Sequence, residues 1–126
     1  MLPAILLVDD ETDILEFLED ELREKYSIYT AANGATALEK LKQESIQLVV
    51  SDVMMPQIDG FELCRIIKTG FDHCHIPVIL LTAKNTLQSK IEGLEIGADA
   101  YIEKPFSPAH LQAQIASLLN NRSRLK

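Results

Sequence analysis

Five polar residues in this sequence each follow a short apolar run, and their side chains suit the binding of a metal ion and an anion. They are Asp9, Asp10, Asp52, Thr82 and Lys104. Three carboxylates that lie close together cannot all stay ionised without a positive charge among them. Mg²⁺ takes oxygen ligands of this kind, and a hydroxyl and an ammonium group suit phosphoryl oxygens. The set predicts a metal and anion site in which one aspartate is free to act as a nucleophile.

The alternation of apolar runs with helical periodicity indicates how these residues could meet. Strands are predicted at 4–8, 28–31, 46–51, 77–81 and 101–102. Continuous apolar strands are buried on both faces, which indicates a parallel sheet between two layers of helices. The more polar second strand suits an edge and favours the strand order 2-1-3-4-5. The predicted fold is therefore α/β, a doubly wound five-stranded parallel sheet whose carboxyl edge gathers the five residues.

Helices are predicted after each strand from the spacing of their apolar residues. The first runs from about Thr12 to Lys25 with Ile14, Phe17, Leu18 and Leu22 on one face. The later helices are marked by Ala37, Leu38 and Leu41, then Leu63, Cys64 and Ile67, then Leu87, Ile91 and Leu94, and finally Leu111, Ile115, Leu118 and Leu119. Asn33-Gly34 is predicted to form a turn, Gly97 to end the fourth helix, and Ser107-Pro108 to begin the fifth.

Composition narrows the function classes. The chain has 126 residues, a net charge of −7 and 47% hydrophobic residues, which suits a single domain with a sizeable core. The acidic balance argues against direct binding of nucleic acid. Cys64 and Cys74 show no paired pattern, which favours a reducing compartment. With neither a signal peptide nor a membrane span in the sequence, we expect a cytoplasmic protein.

Each of these residues also has a plain structural explanation when it is taken alone. An aspartate after a strand is usually a helix N-cap, and Asp10 or Asp59 could be only that. A lone threonine there is more often a cap, and a lone lysine before proline is usually a solvated loop residue. His73-Cys74-His75 is interpreted as a polar loop, because no second ligand pair stands at suitable spacing. The functional interpretation therefore depends on the five residues acting together.

Several motifs resemble the receiver domain of two-component response regulators, over essentially the whole chain. The matching elements are Leu7-Val8-Asp9-Asp10, Ser51-Asp52-Val53-Met54-Met55-Pro56 through Asp59-Gly60, Leu81-Thr82-Ala83, Gly97-Ala98-Asp99 and Lys104-Pro105-Phe106. The resemblance implies a flavodoxin-like (βα)5 three-layer sandwich over residues 1–120. Residues 121–126 are expected to be a polar, basic tail or the start of a linker. The sequence of these motifs is most similar to receivers of hybrid sensor histidine kinases. A stand-alone regulator is the alternative for the parent protein.

The resemblance also implies the chemistry. Asp52 would accept a phosphoryl group from a histidine kinase or a phosphotransfer protein. Asp10, Asp52 and the backbone carbonyl of Met54 would ligate Mg²⁺, for which Mn²⁺ could substitute, and Asp9 would assist through water. Thr82 and Lys104 would hold the phosphoryl oxygens. The domain would signal rather than turn over a substrate, although it would catalyse its own phosphorylation and dephosphorylation.

The resemblance further implies a conformational switch. Thr82 would move toward the phosphoryl group, and Tyr101, at the family's aromatic position, would swing inward to fill the space. A half-buried core tyrosine is the alternative for Tyr101. The Lys104-Pro105 bond is expected to be cis. Met54 and Lys84, two positions after Asp52 and Thr82, are expected to flank the phosphoryl group and tune its lifetime.

The apolar residues of the first predicted helix indicate a docking surface. Ile14, Leu15, Phe17, Leu18 and Leu22 span an arc of about 160° at ~100° per residue, whereas a core-facing stripe needs about 100°. Leu15 or Phe17 is therefore expected to be partly exposed beside the acidic rim. Docking of a kinase or phosphotransfer helix on Ile14, Leu15 and Phe17 is the functional interpretation. A wide core face is the alternative.

Other functions stay open at this stage. A Mg²⁺-dependent phosphohydrolase would also use a strand-end aspartate, but Met54 stands where its second acid is expected. A flavin-binding domain would need a phosphate loop after strand one, where acids would repel a phosphate. An unphosphorylated, receiver-like binding module is a third option. A homodimer formed on phosphorylation is a further possible partnership, with no membrane or nucleic acid involved.

Overall fold

A five-stranded parallel sheet forms the centre of the protein. The computed structural model describes residues 1–83, 91 and 96–124, with side chains to residue 121. The strands are β1 (Ala4–Val8), β2 (Ser27–Ala31), β3 (Leu48–Asp52), β4 (Val78–Thr82) and β5 (Ala100–Glu103), in the order β2-β1-β3-β4-β5. The described helices are α1 (Thr12–Leu22), α2 (Gly34–Gln43), α3 (Gly60–Thr69) and the C-terminal helix α4 (Pro108–Arg124). The predicted fold class and strand order are confirmed.

Burial on both faces of the sheet explains why the central strands are continuous apolar runs. Every residue of β3 and of β4 is buried. Alternate strand residues enter two separate cores, with Leu6 and Val49 in one and Leu7 and Val50 in the other. The first core includes buried residues of α2 and α3, and the second includes buried residues of α1 and α4. The sheet therefore lies between two helix layers, as expected for parallel strands.

Side-chain caps define where the helices begin. Asn33 accepts a hydrogen bond from the Thr36 N–H at 2.8 Å, and Asp59 accepts one from the Glu62 N–H at 2.8 Å. Asn33-Gly34 lies where the chain bends from β2 into α2, and the asparagine side chain satisfies a free N–H group of the first helical turn. Ser107 accepts from the His110 N–H at 3.4 Å, as predicted for the N-cap of the C-terminal helix.

Several predicted boundaries differ from the structure. α1 ends at Leu22, and the chain turns before β2, so the prediction to Lys25 was too long. Leu87 and Leu94 of the helix predicted before β5 lie outside the described residues, whereas Ile91 is helical. Gly97 has φ +94°, the left-handed conformation expected of a residue that ends a helix. α4 continues to Arg124, so part of the segment predicted as a tail is helical.

Cys64 on α3 is fully buried in the core, as predicted, and burial raises the pKa of its thiol to about 11. Cys74 is exposed, and both cysteines are free. Among the residues that the structure describes, no helix is long and apolar enough to cross a membrane.

Candidate functional site

The register of the sheet brings the predicted site residues to one edge. Val8 pairs with Ser51, so Asp9, directly after β1, lies beside Asp52, the last residue of β3. Asp52 in turn pairs with Leu81, which puts Thr82 next along the edge. The Lys104 N–H donates to the Thr82 carbonyl oxygen at 2.6 Å, and this bond continues the sheet beyond β5.

Three carboxylates form an acidic cluster at this edge. One oxygen from each of Asp9, Asp10 and Asp52 lies within 4.8 Å of the other two. Asp9 and Asp52 are buried, whereas Asp10 is exposed. The exposed Asp10 leaves the cluster open to solvent on one side. Asp10 does not cap α1, because Glu11 holds the N-cap position there.

The surroundings of Asp9 disfavour the ionised form of its carboxyl group. Its Oδ1 accepts the Glu11 N–H at 2.9 Å, but its buried Oδ2 has no hydrogen-bond partner among the described residues. Burial raises the pKa of the Asp9 carboxyl, and the negative charge of Asp52 raises it further, against the opposing effects of the Glu11 N–H and Lys104. A buried carboxylate oxygen without a partner is costly, and a bound cation would relieve that cost.

Lys104 brings a positive side chain to the site. Its Nζ lies 3.0 Å from Asp52 Oδ1 and 3.6 Å from Asp9 Oδ2. Burial lowers the pKa of the ammonium group, but the contacts with Asp52 and Asp9 outweigh burial and raise the pKa overall. Lys104 therefore stays protonated at neutral pH. It neutralises only part of the charge of three carboxylates.

The backbone that follows Asp52 is fixed by hydrogen bonds that the sequence did not reveal. The Val53 N–H donates to the Leu81 carbonyl at 2.9 Å, and the Gly60 N–H donates to the Val53 carbonyl at 2.9 Å. A Cβ at Gly60 would lie 2.3 Å from the Asp52 carbonyl oxygen, so only glycine allows this approach. Gly60 is a positioning residue for Asp52. The Asp59-Gly60 pair was its signal: it was noted as the start of a helix and as part of a matching motif, but not as a contact with Asp52.

The other predicted site residues have more varied surroundings. Thr82 is buried at the edge, and the Lys104–Pro105 bond is cis, as expected. Tyr101 is half-buried, and its ring stacks on Phe61 with the centroids 6.4 Å apart. The Tyr101 hydroxyl is buried without a partner among the described residues. Met54 is 59% exposed, and Lys84 lies outside the described residues.

The three residues of the predicted docking surface differ in their exposure. Phe17 is 47% exposed and Ile14 is half-buried, and both line an open pocket of about 440 Å³ with Ala83, Lys104, Pro105 and Phe106. Leu15 is buried in the core, so its inclusion in the docking surface was wrong. The reason is geometric: Leu15 lies three positions before Leu18 and seven before Leu22, on the inward stripe of α1.

The donor set fits a hard divalent cation. The acidic cluster offers carboxylate oxygens, one of which, Asp9 Oδ2, is buried without a hydrogen-bond partner among the described residues. Its only described positive neighbour is the Lys104 ammonium at 3.6 Å. Oxygen ligands with an open, solvent-exposed side suit a cation that retains bound water, which is the preference of Mg²⁺.

We expect the Asp9→Asn variant to stabilise the metal-free protein by about 1–2 kcal/mol, since it removes a buried negative charge next to Asp52 and can keep the Glu11 hydrogen bond. The raised pKa means that the folded state of the wild type holds the Asp9 proton more tightly than the unfolded state. Ionisation of Asp9 therefore lowers the free energy of unfolding of the wild type as the pH rises through the raised pKa. Urea unfolding in EDTA at several pH values measures both effects.

The matched control for this variant is Asp72→Asn, because Asp72 is an exposed acid in the loop before β4. Its stability should equal that of the wild type within a few tenths of a kcal/mol. An Asp9→Asn protein that is less stable than the wild type in EDTA would contradict the argument that burial and repulsion by Asp52 destabilise the Asp9 carboxylate. Added Mg²⁺ should reduce the difference in unfolding free energy between Asp9→Asn and the wild type. The wild type should gain more stability from the metal, because it keeps all three carboxylates.

The fold and the site together define a doubly wound α/β protein with an acidic, metal-competent cluster and a lysine at the carboxyl edge of its sheet. The family model of the response regulator receiver domain matches residues 5–116. The chain belongs to the response regulator receiver domain family and is a signalling domain of two-component systems.

Relatives and solved structures agree with this assignment. Histidine kinase P4 of Formosa agariphila is 44% identical over 98% of this chain, which covers 9% of that protein. The probable transcriptional regulator ycf27 of Cyanidium caldarium is 46% identical over 91% of this chain and 45% of its own length. A receiver domain protein from Methanospirillum hungatei is 31% identical, with a TM-score of 0.93 and 100% of both chains covered. The chain thus spans less than half the length of these two curated relatives.

Proposed function

We propose that Asp52 is the phosphoacceptor of this receiver domain. The observation that carries the proposal is its contact with Lys104, 3.0 Å from Oδ1, within a cluster of three carboxylates at the sheet edge. Of the three acids, Asp10 is exposed and the Oδ1 of Asp9 is engaged by the Glu11 N–H. Asp52 combines burial, a fixed backbone and a cationic neighbour, which suits a nucleophile in phosphoryl transfer.

In the proposed reaction, a carboxylate oxygen of Asp52 forms a bond to phosphorus while the bond from phosphorus to the donor's imidazole nitrogen breaks. The leaving nitrogen keeps the electron pair, and Asp52 becomes an acyl phosphate. Lys104 neutralises charge that develops on the phosphoryl oxygens, and the Thr82 hydroxyl donates to one of them. Mg²⁺, held by Asp9, Asp10, Asp52 and the Met54 carbonyl, supplies further charge neutralisation when bound.

The switch then follows from packing at the same edge. A Thr82 hydroxyl that turns toward the phosphoryl group vacates space beside β5. Tyr101 is already half-buried against Phe61, and its hydroxyl has no described hydrogen-bond partner to hold it in place. An inward rotamer of Tyr101 fills the vacated space, and the domain shifts between two existing states with a coupling of about 1–3 kcal/mol.

The phosphodonor in this proposal is a histidine kinase or a histidine phosphotransfer protein. Such a relay draws on the ATP of the cytoplasm, and we place the domain there. The named relatives include a histidine kinase, a probable transcriptional regulator and a receiver domain protein of the same length, so a hybrid kinase, a longer regulator and a stand-alone regulator are all compatible as the parent of this chain. Phosphorylation could also favour a homodimer. Binding of nucleic acid would belong to another domain, because this one has a net charge of −7.

The direct test of the proposed function is labelling by a small donor. Incubation of the chain with acetyl phosphate and Mg²⁺ should add the mass of one phosphoryl group, which mild alkali or hydroxylamine should remove. Release of inorganic phosphate without a labelled protein would point to a phosphohydrolase. Neither labelling nor release would point to an unphosphorylated binding module.

Met54 should set the lifetime of the acyl phosphate. Its side chain is 59% exposed two residues after the acceptor, where a bulky apolar group obstructs attacking water. We expect Met54→Asn to change the dephosphorylation rate by about threefold to tenfold, equivalent to about 1 kcal/mol in the barrier. Loss of the label is followed by intact-mass measurement after removal of the donor. Lys84→Ala, which removes a charge two positions after Thr82 in the sequence, should change the rate in the same assay. If neither variant changes the rate, these two positions do not tune the lifetime.

A further inference from the structure

The amino end of α2 contacts the loop that follows the proposed acceptor. This acceptor loop (residues 53–59) connects Asp52, the last residue of β3, to Gly60, the first residue of α3. Gly34, the first residue of α2, is buried against it. A Cβ at Gly34 would lie 2.7 Å from Cβ and 2.8 Å from Cγ2 of Ile58, and 3.3 Å from the Ile58 carbonyl oxygen. The two segments are therefore closer than a residue with a side chain at position 34 would allow.

Several contacts fix the conformation of the acceptor loop. The Val53 carbonyl oxygen accepts the N–H of Met55 at 3.1 Å and the N–H of Gly60 at 2.9 Å. Met55 is buried in the core on the α2 and α3 side of the sheet, and Ile58 packs against the same core. Gln57 has φ +66°, a left-handed conformation that a residue with a side chain keeps only where its surroundings impose it. The loop is therefore held in one imposed conformation.

The acceptor loop carries Met54, whose backbone carbonyl is the proposed metal ligand. The Met54 side chain is 59% exposed, whereas the neighbouring Val53 and Met55 are buried. The position of the Met54 carbonyl therefore depends on contacts made by the rest of the loop. The nearest atom that a methyl group at Gly34 would meet is the Ile58 Cβ, which is bonded directly to the backbone. A change of rotamer cannot remove this overlap, so the loop itself would have to move.

We propose that Gly34 is a positioning residue for the metal site. Because it has no side chain, α2 can support Ile58 and thereby hold the Met54 carbonyl in place for Mg²⁺. Mg²⁺ requires nearly ideal octahedral geometry, whereas Ca²⁺ accepts more ligands in a flexible arrangement. The support from α2 therefore favours Mg²⁺ over Ca²⁺. The inference rests on the proposed metal site and adds to it a residue from outside the carboxyl ends of the strands.

The test is a titration of the ¹⁵N-labelled full chain with Mg²⁺ and, separately, with Ca²⁺, in which amide signals are followed by NMR. Gly34→Ala adds one methyl group, which must displace Ile58. We expect its affinity for Mg²⁺ to fall by at least about tenfold and its affinity for Ca²⁺ to fall by less than about threefold. A general loss of stability would not change the ratio of the two affinities of the folded chain.

Matched variants show whether the effect passes through Ile58. Ile58→Gly removes both side-chain atoms that a methyl group at Gly34 would meet, and by itself it should weaken Mg²⁺ binding more than Ca²⁺ binding, because the loop loses its contact with α2. In the Ile58→Gly background, Gly34→Ala should change the Mg²⁺ affinity by less than about twofold. Gly70→Ala is the control: it adds a methyl group at the opposite end of α3, where the nearest atom is the Ile66 carbonyl oxygen at 3.2 Å. This control should retain both wild-type affinities.

A folded Gly34→Ala chain with the wild-type Mg²⁺ affinity, or with equal losses for the two ions, would overturn the inference. An effect of Gly34→Ala that is just as large in the Ile58→Gly background would also overturn it. If Gly34→Ala does not fold, the ratio of the two affinities of Ile58→Gly decides, and an unchanged ratio overturns the inference. A wild-type chain that binds no Mg²⁺ would refute the proposed metal site as well. Mg²⁺ binding by the wild type that is insensitive to residue 34 would refute this inference alone.

Discussion

The Asp52→Asn variant is expected to lose phosphorylation by acetyl phosphate by more than about 100-fold, to below the detection of intact-mass analysis. The substitution keeps the shape of the side chain but removes the anionic oxygen that attacks phosphorus. It also removes the ion pair with Lys104 at 3.0 Å, although Asp9 remains close to that ammonium. The fold should survive, because the change relieves repulsion between neighbouring carboxylates.

Two controls make the result interpretable. Asp72→Asn, in an exposed loop position before β4, should be labelled as the wild type is. A thermal unfolding curve should show that Asp52→Asn is folded, with a midpoint at or above that of the wild type in EDTA. A folded Asp52→Asn protein that still gained the mass of a phosphoryl group would refute the role of Asp52.

Removal of divalent metal should have an effect of similar size. With EDTA in excess, we expect labelling of the wild type to fall by more than about 100-fold, since Lys104, the lysine that the structure describes at this site, cannot by itself balance three carboxylates and an incoming phosphoryl group. Mg²⁺ or Mn²⁺ in excess of the chelator should restore it. Labelling is read from intact mass after a fixed time at each metal concentration.

Metal binding can also be measured without any reaction. A ligand that binds only the folded state adds about 2.7 kcal/mol at a concentration 100 times its Kd. Mg²⁺ should therefore raise the unfolding midpoint of the wild type and should have much less effect on Asp52→Asn, which lacks a ligand. Labelling that is equally fast with and without divalent metal would refute the metal requirement, whatever the stability data show.

The sheet was predictable from the sequence because its strands follow a simple physical rule. β3 and β4 are buried on both faces, so their residues must be continuously apolar, and the polar residue that ends each run marks the edge. The more polar sequence of β2 indicated an edge strand for the same reason, and four of its five residues are half-buried or exposed. Once the strand order followed, the meeting of Asp9, Asp52 and Lys104 was a consequence of parallel topology.

The details that sequence could not provide depend on contacts between distant residues. Leu15 or Phe17 was expected to be partly exposed from its angle on an ideal helix wheel. Phe17 is exposed, whereas the inward stripe of α1 is wide enough to bury Leu15. The role of Gly60 depends on the approach of its backbone to the Asp52 carbonyl across the loop. The stacking of Tyr101 on Phe61 likewise joins β5 to α3, two elements that are far apart in the chain.

The most direct test of the central claim is chemical mapping of the labelled residue. The chain, labelled by acetyl phosphate in Mg²⁺, is reduced with borohydride, which converts an aspartyl phosphate to homoserine, and is then sequenced by peptide mass spectrometry. The chain contains 19 aspartate and glutamate residues, so a position is identified against many internal controls. Homoserine at position 52 alone is the predicted result. Reduction at any other acid, or no reduction in a folded and metal-loaded chain, would contradict the account.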